Sequence, residues 1–183
     1  RTLDRPGYLV GATRVVTPDP LIPSRFIASI AVRRGNVSIA AQVEAVARDH
    51  KAIALELDEV LPGSEPLDFA EGRPVHAVVR QEALGTWNTT VLGLTPQLVR
   101  RDDGSSVWPV PDNALLLDPD GQPVGLAFES EIPASSSPDA WKGDPSRWTW
   151  LSRADVAARH QATSEAASRF VRHATLRFRS PAQ

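Results

Sequence analysis

The sequence predicts a mainly β protein that consists of two small antiparallel β-barrels followed by a C-terminal helix. Three observations support this. Short segments rich in β-branched and apolar residues recur over about the first 130 residues, turns of only a few residues separate them, and an alanine-rich segment follows near the end. Parallel strands need a crossover of about a dozen residues or more, so turns this short favour an antiparallel meander.

The composition is that of an ordinary soluble globular protein. The chain has 183 residues, 42% hydrophobic and 23% charged, and it contains no apolar run long enough for a membrane-spanning helix. Its net charge of -2 gives no general attraction to nucleic acid or to anionic membranes. The absence of cysteine excludes disulfides, cysteine-based zinc sites and thiol nucleophiles. Because methionine is absent even at position 1, we interpret Arg1 as the start of a processed or excised piece.

Residues 1–63 are predicted to form the first barrel. Apolar segments alternate here with breaks such as Pro18–Pro20, Gly35–Asn36 and Pro62–Gly63. This pattern is typical of short strands separated by turns. The strand candidates of this unit are residues 7–10, 15–16, 26–32, 37–46 and 52–57.

Residues 64–133 are predicted to form the second barrel. The unit follows a polar stretch, and turns are indicated at Asp102–Gly104 and Asp118–Gly121. The second turn has proline and glycine at the positions that a type I turn prefers, which favours a hairpin over a calcium-binding loop. The strand candidates are residues 75–79, 89–94, 98–100, 114–117 and 124–128.

Residues 134–183 are predicted to pack on the barrels as a loop, a helix and a terminal strand. The polar, low-complexity segment 134–146 indicates a surface loop. Ser152 is a suitable N-cap for an alanine-rich helix over about 153–170. The alternation in residues 174–179 indicates an edge strand.

Two segments of the first unit, residues 7–16 and residues 40–55, resemble trypsin-like serine proteases of the bacterial HtrA/Deg type. Residues 7–16, Gly-Tyr-Leu-Val-Gly-Ala-Thr-Arg-Val-Val, are similar to the strand and loop that carry the catalytic histidine in that family. The histidine position holds Arg14. Residues 40–55 resemble the segment that delivers the triad aspartate, and its position holds Ala52, or Lys51 if the gap is placed differently.

A third segment resembles the strand and hairpin that carry the nucleophile in the same family. Residues 111–126, from Pro-Asp-Asn-Ala-Leu-Leu-Leu-Asp-Pro-Asp-Gly onward, are similar to this region, and the nucleophile position holds Asp112. The resemblance covers about residues 7–128 and implies two barrels. Family members have one or two further strands before the first matched strand. Either upstream chain supplies them here, or the first barrel is incomplete.

If this resemblance holds, the chain has lost the triad chemistry. The guanidinium of Arg14 stays protonated near neutral pH, so it cannot act as the general base. Ala52 has no carboxylate to orient a base, and Asp112 is a poor nucleophile for an amide. Pro111 and the missing glycines also restrict the loop whose backbone N–H groups would form the oxyanion hole. Because the family's histidine and serine are neighbours, we expect Arg14 and Asp112 to form an ion pair.

The expected function is therefore that of a catalytically inactive trypsin-like domain, a pseudo-protease. It would serve as a protein- or peptide-binding or scaffold module of a larger protein, with no cofactor. Two alternatives stay open, a residual or unconventional hydrolase that uses Asp112 with Arg14, and a purely structural domain of its parent. The resemblance implies a protein or peptide partner and favours a periplasmic or otherwise extracytoplasmic location.

Three tryptophans form the other candidate site. Trp141, Trp148 and Trp150 cluster after the polar loop, where they form either a partner-binding surface or the packing of the C-terminal segment onto the second barrel. The four histidines lack the spacing of a metal site, so no metal is predicted.

Overall fold

The computed structural model describes residues 3–21, 27–48, 50–83, 86–94, 97–128, 131–133, 143–155 and 158. These residues form antiparallel strands, one 3₁₀ turn at Pro145–Arg147 and the start of a C-terminal helix. The strands are β1 (Tyr8–Leu9), β2 (Arg14–Pro18), β3 (Ile30–Arg34), β4 (Val37–Ala47), β5 (Ala52–Leu57), β6 (His76–Ala83), β7 (Thr86–Gly93), β8 (Val99–Arg100), β9 (Ser106–Pro109), β10 (Ala114–Leu117), β11 (Pro123–Ala127), β12 (Glu131–Pro133) and β13 (Trp150–Ser152).

The first sheet is a half-barrel arranged around the long strand β4. Its order is β1-β2-β5-β4, and the far edge of β4 pairs first with β3 and then with β13. A bulge between Val43 and Ala45 bends β4 where it passes from one partner to the other. Strand β3 begins at Ile30, opposite Ala41, so residues 27–29 of the strand predicted over 26–32 lie outside the observed strand.

The second half of the described chain forms two separate sheets. One has the strand order β11-β10-β6-β7 and the other has the order β12-β9-β8. The prediction of a mainly β fold with a C-terminal helix is confirmed, but the described residues of this half do not close into a second complete barrel. Strands β9, β12 and β13 were not predicted. They have only three or four residues each. Strands β12 and β13 pair with the more distant strands β9 and β4, and the other edge of β9 pairs with the neighbouring strand β8.

Three groups of buried apolar side chains hold the sheets together. One lies inside the half-barrel and includes Val15, Ile39 and Leu55, and a second lies beneath β6, β10 and β11 and includes Val79 and Leu116. The third joins the half-barrel to the second half. We call it the inter-sheet cluster, and its buried members are Tyr8, Val16, Ala47, Ala52, Leu126, Phe128 and Trp148.

The C-terminal helix begins at Arg153 with the predicted cap. The backbone N–H of Asp155 donates to Ser152 Oγ, and the Ser152 hydroxyl and backbone N–H both donate to the Asp155 carboxylate. This reciprocal arrangement satisfies N–H groups that the first helical turn leaves free. The loop predicted over 134–146 is described only from residue 143, and the strand predicted over 174–179 lies outside the described residues. In the described part of the chain, no helix has the length and apolarity to cross a membrane.

The two predicted aspartate-glycine turns are present. Gly104 and Gly121 have φ values of 82° and 79°, in the left-handed region that glycine adopts without strain. In the second turn, Asp118 Oδ1 accepts hydrogen bonds from the backbone N–H groups of Asp120 and Gln122. A carboxylate that closes the turn in this way gives Asp118 a structural role in the β10–β11 hairpin.

Candidate functional site

The candidate site is the seam between the half-barrel and the second half, around the inter-sheet cluster. Ala52 and Val16 come from the half-barrel, Leu126 comes from β11, and all three are fully buried. Trp148 enters from the segment before β13 and closes the cluster. Apolar side chains therefore fill the seam at Ala52.

Trp148 packs among other rings. It stacks on His50 with ring centroids 4.1 Å apart, meets the edge of Phe128 at 6.0 Å, and lies 5.7 Å from the ring of Trp150. The indole N–H of Trp150 donates to the carbonyl of Pro145 at 2.9 Å. Of the two roles considered for the tryptophans, these contacts of Trp148 and Trp150 are those of side chains that pack the C-terminal segment, not of a partner-binding surface. Trp141, the third tryptophan of the candidate site, lies outside the described residues.

Arg14 lies at the start of β2 and binds to neighbours within the half-barrel. Its Nε is 3.0 Å from Glu44 Oε2, and its guanidinium carbon lies 4.9 Å from the ring centroid of Trp150. The N–H does not point at the carboxylate oxygen, so the contact is an ion pair without a directed hydrogen bond. Both side chains are partly exposed, which limits the contribution of such a pair to less than about 1 kcal/mol.

The ion pair expected between Arg14 and Asp112 is not formed. Both residues are described, and the carboxylate within 4.0 Å of Arg14 is that of Glu44. The register of β2 against β5 explains why this pair does not form. Arg14 lies opposite Glu56 on β5, and its side chain reaches Glu44 on β4, the strand on the other side of β5. Asp112 is exposed in a turn that precedes β10.

The structure does not bring Arg14 and Ala52 together either. In the β2–β5 pair, Arg14 lies opposite Glu56 and Ala52 lies opposite Pro18. Four residues along a strand correspond to about 13 Å, so the two positions are at opposite ends of the pair. The part of β2 beside Ala52 is its last residue, Pro18, and the next backbone N–H, that of Asp19, donates to the carbonyl of Lys51 at 2.9 Å.

Asp112 lies in a turn that is tied to the half-barrel through its neighbour. Asn113 has a φ of 58°, a left-handed conformation that asparagine tolerates better than most residues. Its carbonyl accepts a hydrogen bond of 2.8 Å from the hydroxyl of Tyr8. Burial raises the pKa of Tyr8 to about 12, and the charge of Arg80 lowers it by a smaller amount. The turn that contains Asp112 is thus anchored to β1.

We expect this tyrosine to make stability pH-dependent above pH 10. The pKa of Tyr8 is about 12 in the folded protein against 10 for the free side chain, so the folded state retains its proton longer than the unfolded state. The contribution of the neutral Tyr8 side chain to the free energy of unfolding is fully present below pH 10 and is lost as the pH rises towards 12. Tyr8 is the sole tyrosine, so absorbance at 295 nm reports its titration alone. We expect a midpoint clearly above 10 that falls to 10 in urea, and a native midpoint near 10 would contradict the burial argument.

Sequence reasoning did not identify Glu44, Tyr8, Asn113 or His50. The signal for Tyr8 was present, because a sole tyrosine within an apolar strand needs a partner for its hydroxyl when it is buried. Nothing local points to Glu44 or His50, whose partners lie 30 and 98 residues away in the sequence. In the described part of the chain, no three His, Asp or Glu side chains are arranged to hold a metal ion.

Comparison with known proteins adds no family assignment, because no protein-family model and no curated protein sequence matches the chain.

Proposed function

We propose that this chain is a non-catalytic domain of the trypsin-like serine-protease type that works as a protein-binding or scaffold module. The observation that carries the proposal is the environment of the three residues that the sequence resemblance matches to the triad. Arg14 is paired with Glu44, Ala52 is buried in the inter-sheet cluster, and Asp112 lies in a turn anchored by Tyr8. None of these positions offers a base, a carboxylate beside a base, or an amide-cleaving nucleophile.

The strand pairings support the double-barrel part of this proposal. We number β6, β7, β9, β10, β11 and β12 as strands one to six of the second half, and β1–β5 as strands two to six of the first. Both halves then pair strand three with strand six and strand four with strand five.

This numbering leaves out the short strands β8 and β13, which pair with β9 and β4. The other pairings of the two halves complement each other. The first half pairs two with three and five with six, and the second half pairs one with two and one with four. Together with the shared pairings they make one closed ring, 1-2-3-6-5-4, in which all neighbours are antiparallel. Open sheets whose pairings are fragments of one ring support the interpretation that the halves are related barrels. The first half has no described counterpart of β6.

The register also bears on where a histidine would have to be. A triad aspartate holds its histidine by a hydrogen bond, so a histidine that served position 52 would lie beside it on β2. The residues there are Pro18 and then Asp19, so the register supports a histidine position just after β2 and not at Arg14. The conclusion that the general base is missing is unchanged, because neither Pro18 nor Asp19 has an imidazole side chain. His50, the nearest histidine in sequence, stacks on Trp148.

Activity-based labelling tests the proposal. The purified chain is treated with a serine-reactive fluorophosphonate and assayed on fluorescent casein, with trypsin as the positive control and the heat-denatured chain as the blank. We expect no labelling and no cleavage above the blank. Labelling that is lost on substitution of one serine of this chain would overturn the proposal. Cleavage that is lost in Asp112→Asn would instead establish the unconventional hydrolase.

A further inference from the structure

Two exposed hairpin turns of the second half are built on the same backbone. Each has an Asp-Gly pair at its tip, Asp103–Gly104 between β8 and β9 and Asp120–Gly121 between β10 and β11, and these are the two Asp-Gly pairs of the sequence. All four residues are exposed. The glycines have φ values of 82° and 79°, and a Cβ added at either of them would meet nothing within 4 Å.

The backbone hydrogen bonds of the two turns are equivalent. The N–H of Gly104 donates to the carbonyl of Arg101 at 3.0 Å, and the N–H of Gly121 donates to the carbonyl of Asp118 at 3.1 Å. In each turn the first residue also donates from its own N–H to the carbonyl four residues later, at 2.8 and 3.0 Å. The two Asp-Gly pairs therefore differ in their side-chain contacts and not in the hydrogen bonds of their backbone.

The two aspartate side chains are held differently. Asp103 Oδ1 accepts hydrogen bonds from the hydroxyl of Ser105 at 2.6 Å and from its backbone N–H at 2.8 Å, and these two bonds lower the pKa of Asp103. In the second turn the carboxylate that accepts backbone N–H groups is that of Asp118. In the part of the chain that the structure describes, no hydrogen bond or ion pair holds the carboxylate of Asp120.

An Asp-Gly pair can rearrange without an enzyme. The backbone nitrogen of the glycine attacks the carboxyl carbon of the aspartate, so that an N–C bond forms and the carboxyl hydroxyl leaves with the amide proton as water. Water then adds to one of the two carbonyls of the resulting succinimide. Addition at the former backbone carbonyl breaks its bond to nitrogen and gives isoaspartate, in which the main chain runs through the side-chain carbons. Glycine favours the attack because no side chain shields its nitrogen.

The attack requires a neutral carboxyl group that is free to turn towards the glycine nitrogen. At Asp103, the hydrogen bonds from Ser105 oppose both conditions, because they favour the ionised carboxylate and fix its position. We propose that Asp120 is a modification site at which the folded chain forms succinimide and isoaspartate, and that Ser105 protects the equivalent Asp103. This modification does not depend on the function proposed above.

Isoaspartate would change the turn that closes the β10–β11 hairpin. It adds one carbon to the main chain between Asp120 and Gly121. The N–H groups that donate to Asp118 Oδ1 belong to Asp120 and Gln122, one on each side of this added carbon. One carboxylate oxygen would then no longer hold both N–H groups in their present geometry, so we expect the turn to loosen.

Incubation of the full chain in buffer at about pH 5 tests the proposal, since part of the carboxyl groups is neutral there. Circular dichroism verifies that one sample stays folded, and a second sample is kept unfolded in urea. Peptide mapping with electron-transfer fragmentation locates isoaspartate at position 103 or 120, and succinimide is detected as the loss of one water. A hydrogen bond that must break slows a reaction roughly two- to tenfold, so we expect at least about threefold more product at Asp120 than at Asp103 in the folded chain. In urea we expect similar amounts.

The variant Ser105→Ala tests the protection of Asp103 directly. It removes the hydroxyl bound to Asp103 and should raise the rate at that position by about two- to tenfold. The rate at Asp120 should not change, which makes Asp120 the internal control of the same sample. Reaction at Asp103 as fast as at Asp120 in the folded native chain would overturn the proposal. Protection of both pairs in the folded chain, when both react in urea, would overturn it as well. An unchanged rate at Asp103 in Ser105→Ala would refute the role of Ser105.

Discussion

Replacement of Leu126 by alanine is expected to lower the free energy of unfolding by about 3 kcal/mol, within the 2–5 kcal/mol typical of fully buried leucines. Leu126 is completely buried in β11, and it contributes to the cluster that joins the second half to the half-barrel. The cavity left by alanine would be bordered by Phe128 and Trp148, which are themselves held by ring contacts. These rings have little freedom to collapse into the space.

Urea unfolding followed by tryptophan fluorescence measures this loss. The matched control is Leu3→Ala, the same substitution at a side chain that is 44% exposed, and it should change the free energy of unfolding by no more than about 0.5 kcal/mol. Equal effects of the two substitutions would show that the inter-sheet cluster does not hold the halves together.

Replacement of Gly125 by alanine is expected to disrupt the contact between β11 and the segment that leads to β13. A Cβ added at position 125 would lie 2.6 Å from the Cα and 2.8 Å from the carbonyl carbon of Gly143. Both atoms are backbone, so relief requires the chain to move and not a side chain to rotate. The adjacent hydrogen bond from Leu126 N to the carbonyl of Gly143 would be strained as well. We expect a loss of about 2–3 kcal/mol.

Two measurements separate this effect from a general loss of stability. The unfolding midpoint should fall, and the near-ultraviolet circular dichroism should change because Trp148 and Trp150 follow Gly143 in the chain. Gly93→Ala is the matched control, since Gly93 also lies in a strand and a Cβ there meets nothing within 4 Å. We expect that variant to be neutral or slightly more stable than the native chain. If Gly125→Ala behaved like Gly93→Ala, the close approach of the two backbones would be refuted.

Both substitutions act on the seam that a catalytic interpretation would require to be open. In the described structure, Ala52, Leu126 and Trp148 pack in one buried cluster at this seam. A filled seam leaves no room for a substrate between the halves, and it therefore supports the non-catalytic part of the proposed role.

The strands and turns that sequence reasoning found are those with local causes. Short apolar segments bounded by turn residues marked β4, β5, β10 and β11, because apolar runs of this length are typical of buried strands. Glycine at positions 104 and 121 marked turns that require a positive φ, and Ser152 marked a helix start with free N–H groups to bond. Each of these signals acts within a few residues.

What the sequence failed to predict depends on pairing between distant segments. Strand β13 exists because Trp150 lies opposite Ala47, more than a hundred residues earlier, and its three residues carry no strand pattern of their own. Arg14 was expected beside Asp112 because the likeness to a protease was extended residue by residue. A likeness of sequence does not determine register, and the register of β2 and β5 places Pro18 instead of Arg14 at Ala52.

The sequence by itself therefore determined the β class, the main turns and the helix cap. Only the tertiary structure decided that Arg14 pairs with Glu44, that Tyr8 anchors the turn after Asp112, and that apolar packing fills the seam. The physical reason is the separation in sequence over which each kind of interaction acts. Backbone propensities and caps act over a few residues, whereas strand register, side-chain partners and exposed edges are set by contacts between segments far apart in the chain.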